Sequence, residues 1–155
     1  MAADFPHSRD LRRGRVSIPG GAYHIIFRTH GGRPLFRDLR LGRIVVEGLR
    51  WQDATEHSST LAFVVMPDHV HWLLTLRAAA TLPSVVAGVK SFTARRINAV
   101  TGAAGRRVWQ DGFFDHAVRR DEDVRTIARY IVSNPLRAGL VSNLGDYALW
   151  DACGI

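Results

Sequence analysis

Hydrophobic positions change their period several times along this chain, and each change marks the edge of an element. Residues 22–29 are nearly unbroken in β-branched and aromatic side chains and predict a strand. Residues 61–66 form a compact apolar run that predicts a second strand, stopped by Met66-Pro67-Asp68. In 69–76, Val70, Trp72, Leu74 and Leu76 alternate with the other positions, which is the two-residue period of a third strand. It follows the second so closely that a hairpin is the natural connection. Residues 113–119 predict a fourth strand. Helical spacing fills the intervals. Leu39, Ile44, Val45, Leu49 and Trp51 give a rough stripe over 37–54, despite Gly42 and Gly48, and 82–100 predicts a helix with 102–105 as its exit loop. Gly31-Gly32-Arg33-Pro34 is a turn, and the tail from Pro135 onward reads as loop and short elements.

The last helix is the best signposted. Asp121 can cap it, Glu122 and Asp123 suit the positive end of its dipole, and Pro135 disfavours helical angles at Asn134, so it should run over 121–134. Val124, Ile127, Ala128, Ile131 and Val132 make its apolar stripe, and Tyr130 falls roughly 130° from the stripe's centre. Asn134 lies one turn later on the same side as Tyr130. The order strand, helix, strand, strand, helix, strand, helix predicts an α+β fold, similar to a ferredoxin-like arrangement, with a central antiparallel sheet and packed helices. With no internal repeat or low-complexity linker, one domain over 22–155 is expected, preceded by a basic arm over 1–21.

Composition narrows the chemistry. The 155 residues carry a formal net charge of +7, and 20 of the 21 basic residues are arginine, Lys90 being the exception. Arginine forks match phosphate oxygens, so the balance favours nucleic acid, although GC-rich coding produces the same bias. Arg12, Arg13 and Arg15 cluster in the arm, as a solvated segment or as a phosphate grip. A lone cysteine, Cys153, excludes an intramolecular disulfide framework and thiolate metal clusters. No apolar stretch approaches membrane-spanning length and the N-terminus has no apolar signal core, so a cytoplasmic, membrane-free protein is expected.

Strand alternation places His69 and His71 on one face, about 7 Å apart, with the apolar residues of the third strand on the other. Two imidazoles beside a turn can hold one ion. Two ligands do not define a metal site, however, and a pair of hydrogen-bonded histidines at a strand entry is the simpler reading of the pair alone. By alternation the Asp68 side chain points away from them. Tyr130 alone is equally ambiguous, since a surface tyrosine near a helix end is common. Trp72, Trp109 and Trp150 could stack bases, although Trp72 alternates onto the apolar face.

Taken together, these features resemble a known family. A His-hydrophobe-His strand followed by a helix with Tyr and, four residues on, a polar ligand is similar to the HUH single-strand endonucleases with one tyrosine. The closer resemblance is to the REP-associated tyrosine transposases. It is carried by Tyr23-His24-Ile25-Ile26-Phe27-Arg28, Met66-Pro67-Asp68-His69-Val70-His71, Trp109-Gln110-Asp111-Gly112-Phe113-Phe114-Asp115-His116 and the segment from Arg129 through Tyr130, Asn134, Pro135 and Arg137 to Val141. Asp68 departs from the pattern, standing where that family usually has Asn. The resemblance implies a transposase that cleaves and rejoins single-stranded or hairpin DNA through a 5′-phosphotyrosine on Tyr130. It implies Mg2+ or Mn2+ held by His69, His71 and Asn134, with Arg129 a nearby positive charge able to activate the phenol. His116, on the strand before the tyrosine helix, could contact DNA or serve a structural hydrogen bond. Among relatives both dimers and single-chain sites occur, and the monomer is favoured here because the tail after Pro135 could pack back on its own domain. A non-catalytic nucleic-acid-binding module that kept the fold is the main rival, and it predicts a damaged site; a zinc hydrolase lacks a third strong ligand and a base.

Overall fold

A computed structural model describes residues 17–77, 79–119 and 121–153; Arg12, Arg13 and Arg15 lie outside them. The sheet is built around the two segments richest in apolar and aromatic residues. Strand β1 (Ala22–Arg28) and strand β3 (His69–Leu76) pair antiparallel and are buried on both faces along most of their length. Strand β2 (Ser58–Val65) flanks β3, β4 (Phe114–Ala117) flanks β1, and β5 (Trp150–Ala152) adds to the outside of β2. The order is β4-β1-β3-β2-β5 with every pair antiparallel, so the expected ferredoxin-like sheet is present with one extra edge strand supplied by the tail.

Helices cover the two faces unequally. Helix α1 (Leu39–Ala54) and helix α2 (Leu82–Thr101) share a core with Tyr23, Ile25, Phe27, Val70, Trp72, Leu74 and Leu76. They approach closely at Gly48, where a Cβ would lie 2.8 Å from the Thr93 methyl. Helix α3 (Val124–Val132) lies on the opposite face, where Ala128 and Ile131 pack on Ala62, Val64, Met66 and Leu73. Val70, Trp72, Leu74 and Leu76 are each at most 1% exposed. Full burial of such side chains is worth about 1.5–3 kcal/mol apiece, so a one-residue slip of β3 is strongly disfavoured. The register that buries these four is therefore what turns His69 and His71 toward the α3 side.

Several boundaries differ from the sequence expectation. Strand β2 begins at Ser58 rather than at residue 61, because the Asp53 carboxylate accepts hydrogen bonds from the Ser58 hydroxyl and from the Thr60 amide and hydroxyl, so a polar stretch joins the sheet. Helix α3 is capped by Asp123, not Asp121. Leu39 and Trp51 are 38% and 41% exposed, outside the buried α1 stripe of Leu41, Ile44, Val45 and Leu49. Trp51 instead stacks on Phe92 of α2. Trp109 packs in the core against Phe27 and Phe36, with its indole nitrogen donating to Thr93, and the Trp150 indole donates to the Leu144 carbonyl. Neither Trp72 nor Trp109 is an open stacking surface. The tail does return to its own sheet: the Val65 amide donates to the Leu149 carbonyl, and the Tyr147 hydroxyl donates to the Val65 carbonyl at 2.5 Å.

Candidate active site

His69 and His71 sit side by side on β3, their ring centroids 5.1 Å apart and their planes inclined by 66°. In each ring the protein engages Nδ1. The His69 Nδ1 is 2.6 Å from an Asp68 carboxylate oxygen, and the His71 Nδ1 is 3.0 Å from Nε2 of His24, which also stacks on it. Asp68 thus turns toward the pair, contrary to the alternation argument, because it precedes the first residue of β3 and belongs to the hairpin turn. Anchoring Nδ1 in this way presents Nε2, the arrangement by which proteins orient histidines for a metal ion. Among the described residues no three His, Cys, Asp or Glu side chains are grouped so as to hold a metal ion. At the end of α3 the Asn134 Nδ2 donates to the Tyr130 and Ile131 carbonyls, and its Oδ1 lies 3.4 Å from Arg137 Nη2. Neutral imidazoles and an amide oxygen are donor types that divalent cations accept.

Burial sets the protonation of the histidines. His71 is only 5% exposed and is pushed down to about 2, first by desolvation, then by His24, His69, Arg137 and Arg28. His24 is lowered to about 4 by desolvation and then by His116. For His69 desolvation outweighs the opposing pull of Asp68, and the shift is again downward. The rings are therefore neutral near pH 7, the form that ligates. A stability consequence follows. An unfolded imidazole titrates near 6.5, so below that pH the unfolded chain takes up protons that folded His24 and His71 refuse. Stability is then present above about 6.5 and falls as pH drops, by about 1–3 kcal/mol per pH unit for the two rings together. Urea unfolding in chelator at pH 7.5, 6.5 and 5.5 reads this slope; a level profile would contradict buried, neutral histidines.

Tyr130 is on the solvent flank of α3, 47% exposed. The chain's other two tyrosines have committed hydroxyls. Tyr23 is 4% exposed and its oxygen accepts the Ile18 amide. Tyr147 is tied to the Val65 carbonyl, and burial pushes it up to about 12. Tyr130 alone of the three combines an exposed ring with a place beside the Asn134 amide.

The chain is similar to known proteins along most of its length. A family described as transposase IS200-like matches residues 17–134. The chain belongs to that family. A REP-associated tyrosine transposase of Escherichia coli strain K12 is 33% identical over 90 residues, covering 56% of this chain and 49% of that protein. The chain therefore matches about half the length of this curated relative. Among solved structures, one titled as the REP-associated tyrosine transposase bound to a REP hairpin shares the fold with a TM-score of 0.72 and 23% identity, over 88% of this chain and 79% of the other. A Deinococcus radiodurans protein described as a transposase matches with a TM-score of 0.56 and 22% identity, over 78% and 95% of the two chains. Among the described residues, no helix of this family member is long and apolar enough to cross a membrane.

Two neighbours of the site are not legible as such in the sequence. His24, legible only as a strand residue, is the partner of His71. Arg137 stands in the family-like segment without a role of its own, and Pro135 predicts that the helix ends at Asn134. The chain instead restarts as a short helix α4 (Asn134–Arg137), with proline in its first turn, where a missing N–H costs nothing. Its arginine comes back over the Tyr130 ring, the guanidinium carbon 3.8 Å from the centroid. Arg137, rather than Arg129, is the cation on the tyrosine. The His116 Nε2 lies 3.0 Å from both Glu122 carboxylate oxygens.

Proposed function

We propose that this chain is a metal-dependent single-strand DNA endonuclease and strand transferase acting at hairpin sequences, with Tyr130 as nucleophile. The observation that carries the reading is the exposed Tyr130 side chain on the same helix flank as Asn134, in a family member whose His69 and His71 are both anchored through Nδ1. His69, His71 and Asn134 would hold Mg2+ or Mn2+, which when bound polarises the phosphoryl group and neutralises charge developing on it. Tyr130 Oη attacks phosphorus, the Oη–P bond forms, the P–O3′ bond breaks, and the phenol proton passes to the leaving 3′ oxygen through solvent. The product is a 5′-phosphotyrosine and a free 3′-hydroxyl. One phosphodiester has been exchanged for another, so attack by a 3′-hydroxyl reverses the step without a nucleotide cofactor. Arg129, exposed on α3, and Arg12, Arg13 and Arg15 would grip flanking phosphates.

Hairpin DNA is favoured as partner because a structurally similar transposase is bound to a REP hairpin. The test is incubation of labelled hairpin oligonucleotides carrying single-stranded flanks with the protein and Mn2+. A denaturant-resistant protein–DNA adduct is expected, with little from blunt duplex. No adduct on any hairpin would leave the chain a binding module.

A further inference from the structure

Arg137 touches two members of the candidate site. Its guanidinium carbon lies 3.8 Å from the centroid of the Tyr130 ring, and its Nη2 is 3.4 Å from Asn134 Oδ1. Positions 130, 134 and 137 are i, i+4 and i+7, and the restart at α4 preserves that helical row across the junction. Both partners of the guanidinium are weak ones: a π face and a long contact to an amide oxygen, the oxygen proposed to ligate the cation. Among the described residues no carboxylate forms an ion pair with it. A planar, permanently charged fork held so lightly beside a nucleophile exchanges readily for a phosphate, which it matches bidentately.

We propose that Arg137 is a further catalytic residue: it turns from Tyr130 and Asn134 onto a non-bridging oxygen of the scissile phosphodiester and neutralises charge there as Oη attacks. The inference rests on the proposed nuclease reading. Arg137 remains protonated throughout and moves no proton. Its release also frees Asn134 Oδ1, so cation and DNA entry are coupled through one side chain.

The test is a double-mutant cycle between protein and DNA. In a Tyr130→Phe background, which stops cleavage, the position mapped from the wild-type adduct carries either a phosphodiester or an uncharged methylphosphonate. With Arg137 present, removing the phosphate charge should weaken hairpin binding about tenfold, the scale of one charge-assisted contact. With Arg137→Gln the same change should have little further effect. With Tyr130 intact, Arg137→Gln should slow adduct formation on the order of 10²-fold and Arg137→Lys should recover part of it, while the thermal midpoint stays near wild type. Arg43→Gln on α1, behind the sheet, should show no coupling. Independent, additive losses from Arg137→Gln and the methylphosphonate would overturn this role and leave the nuclease reading standing. Failure of Tyr130→Phe to bind any hairpin would overturn both.

Discussion

Tyr130→Phe should bind hairpin DNA and cation as wild type does and form no covalent adduct. The substitution removes one hydroxyl from a ring already 47% exposed, and such surface changes usually cost less than about 0.5 kcal/mol. The phenyl ring keeps the face over which Arg137 lies, and Asn134 and both histidines are untouched. Neither other tyrosine can replace the lost nucleophile, because Tyr23 is enclosed in the core and the Tyr147 hydroxyl is bonded to the Val65 carbonyl. The loss of adduct should therefore be on the order of 10⁴-fold or more, as when an enzyme loses its nucleophile outright. A gel shift on native gels beside an empty lane on denaturing gels is the expected pattern. An adduct from Tyr130→Phe would move the chemistry to another residue.

What the sequence could and could not say about this site divides along a physical line. Local periodicity sufficed for β3: four apolar side chains at alternate positions fix which face the histidines take, and the turn at Met66-Pro67-Asp68 fixes the hairpin. The flank carrying Tyr130 and Asn134 was also legible, since it depends only on helical spacing. Pairing between distant strands was not. His24 meets His71 because β1 lies beside β3 in a register that sets Ile26 opposite His71 and Arg28 opposite His69. No pattern within either strand encodes that offset. Proline caused the other miss. It disfavours helix at the residue before it, yet it also suits a first helical turn, and here the second effect governs the path to Arg137. Strand β2 shows the same limit, because its polar start depends on a carboxylate at the end of α1.

The two histidines look equivalent in sequence, but alanine should separate them. At the proposed cation site either His69→Ala or His71→Ala removes one of the two imidazoles that would hold the ion, so Mn2+ affinity should fall by about 10- to 100-fold or more, and adduct formation with it. Stability is where they part. The His69 side chain is 19% exposed and its partner Asp68 is 39% exposed, so water can replace the lost contact, at a cost of about 1 kcal/mol or less. His71 is 5% exposed, and its truncation leaves a cavity and strips buried His24 of the partner 3.0 Å from its Nε2. Truncating a ring there and leaving a buried polar nitrogen unpaired should cost about 2–4 kcal/mol. Urea unfolding in chelator isolates this difference from metal binding, and Mn2+ titration of the folded variants measures the shared loss. Should His71→Ala unfold at the wild-type urea concentration, His71 is not the buried anchor described. Should His69→Ala retain full Mn2+ affinity, the cation does not sit on this pair.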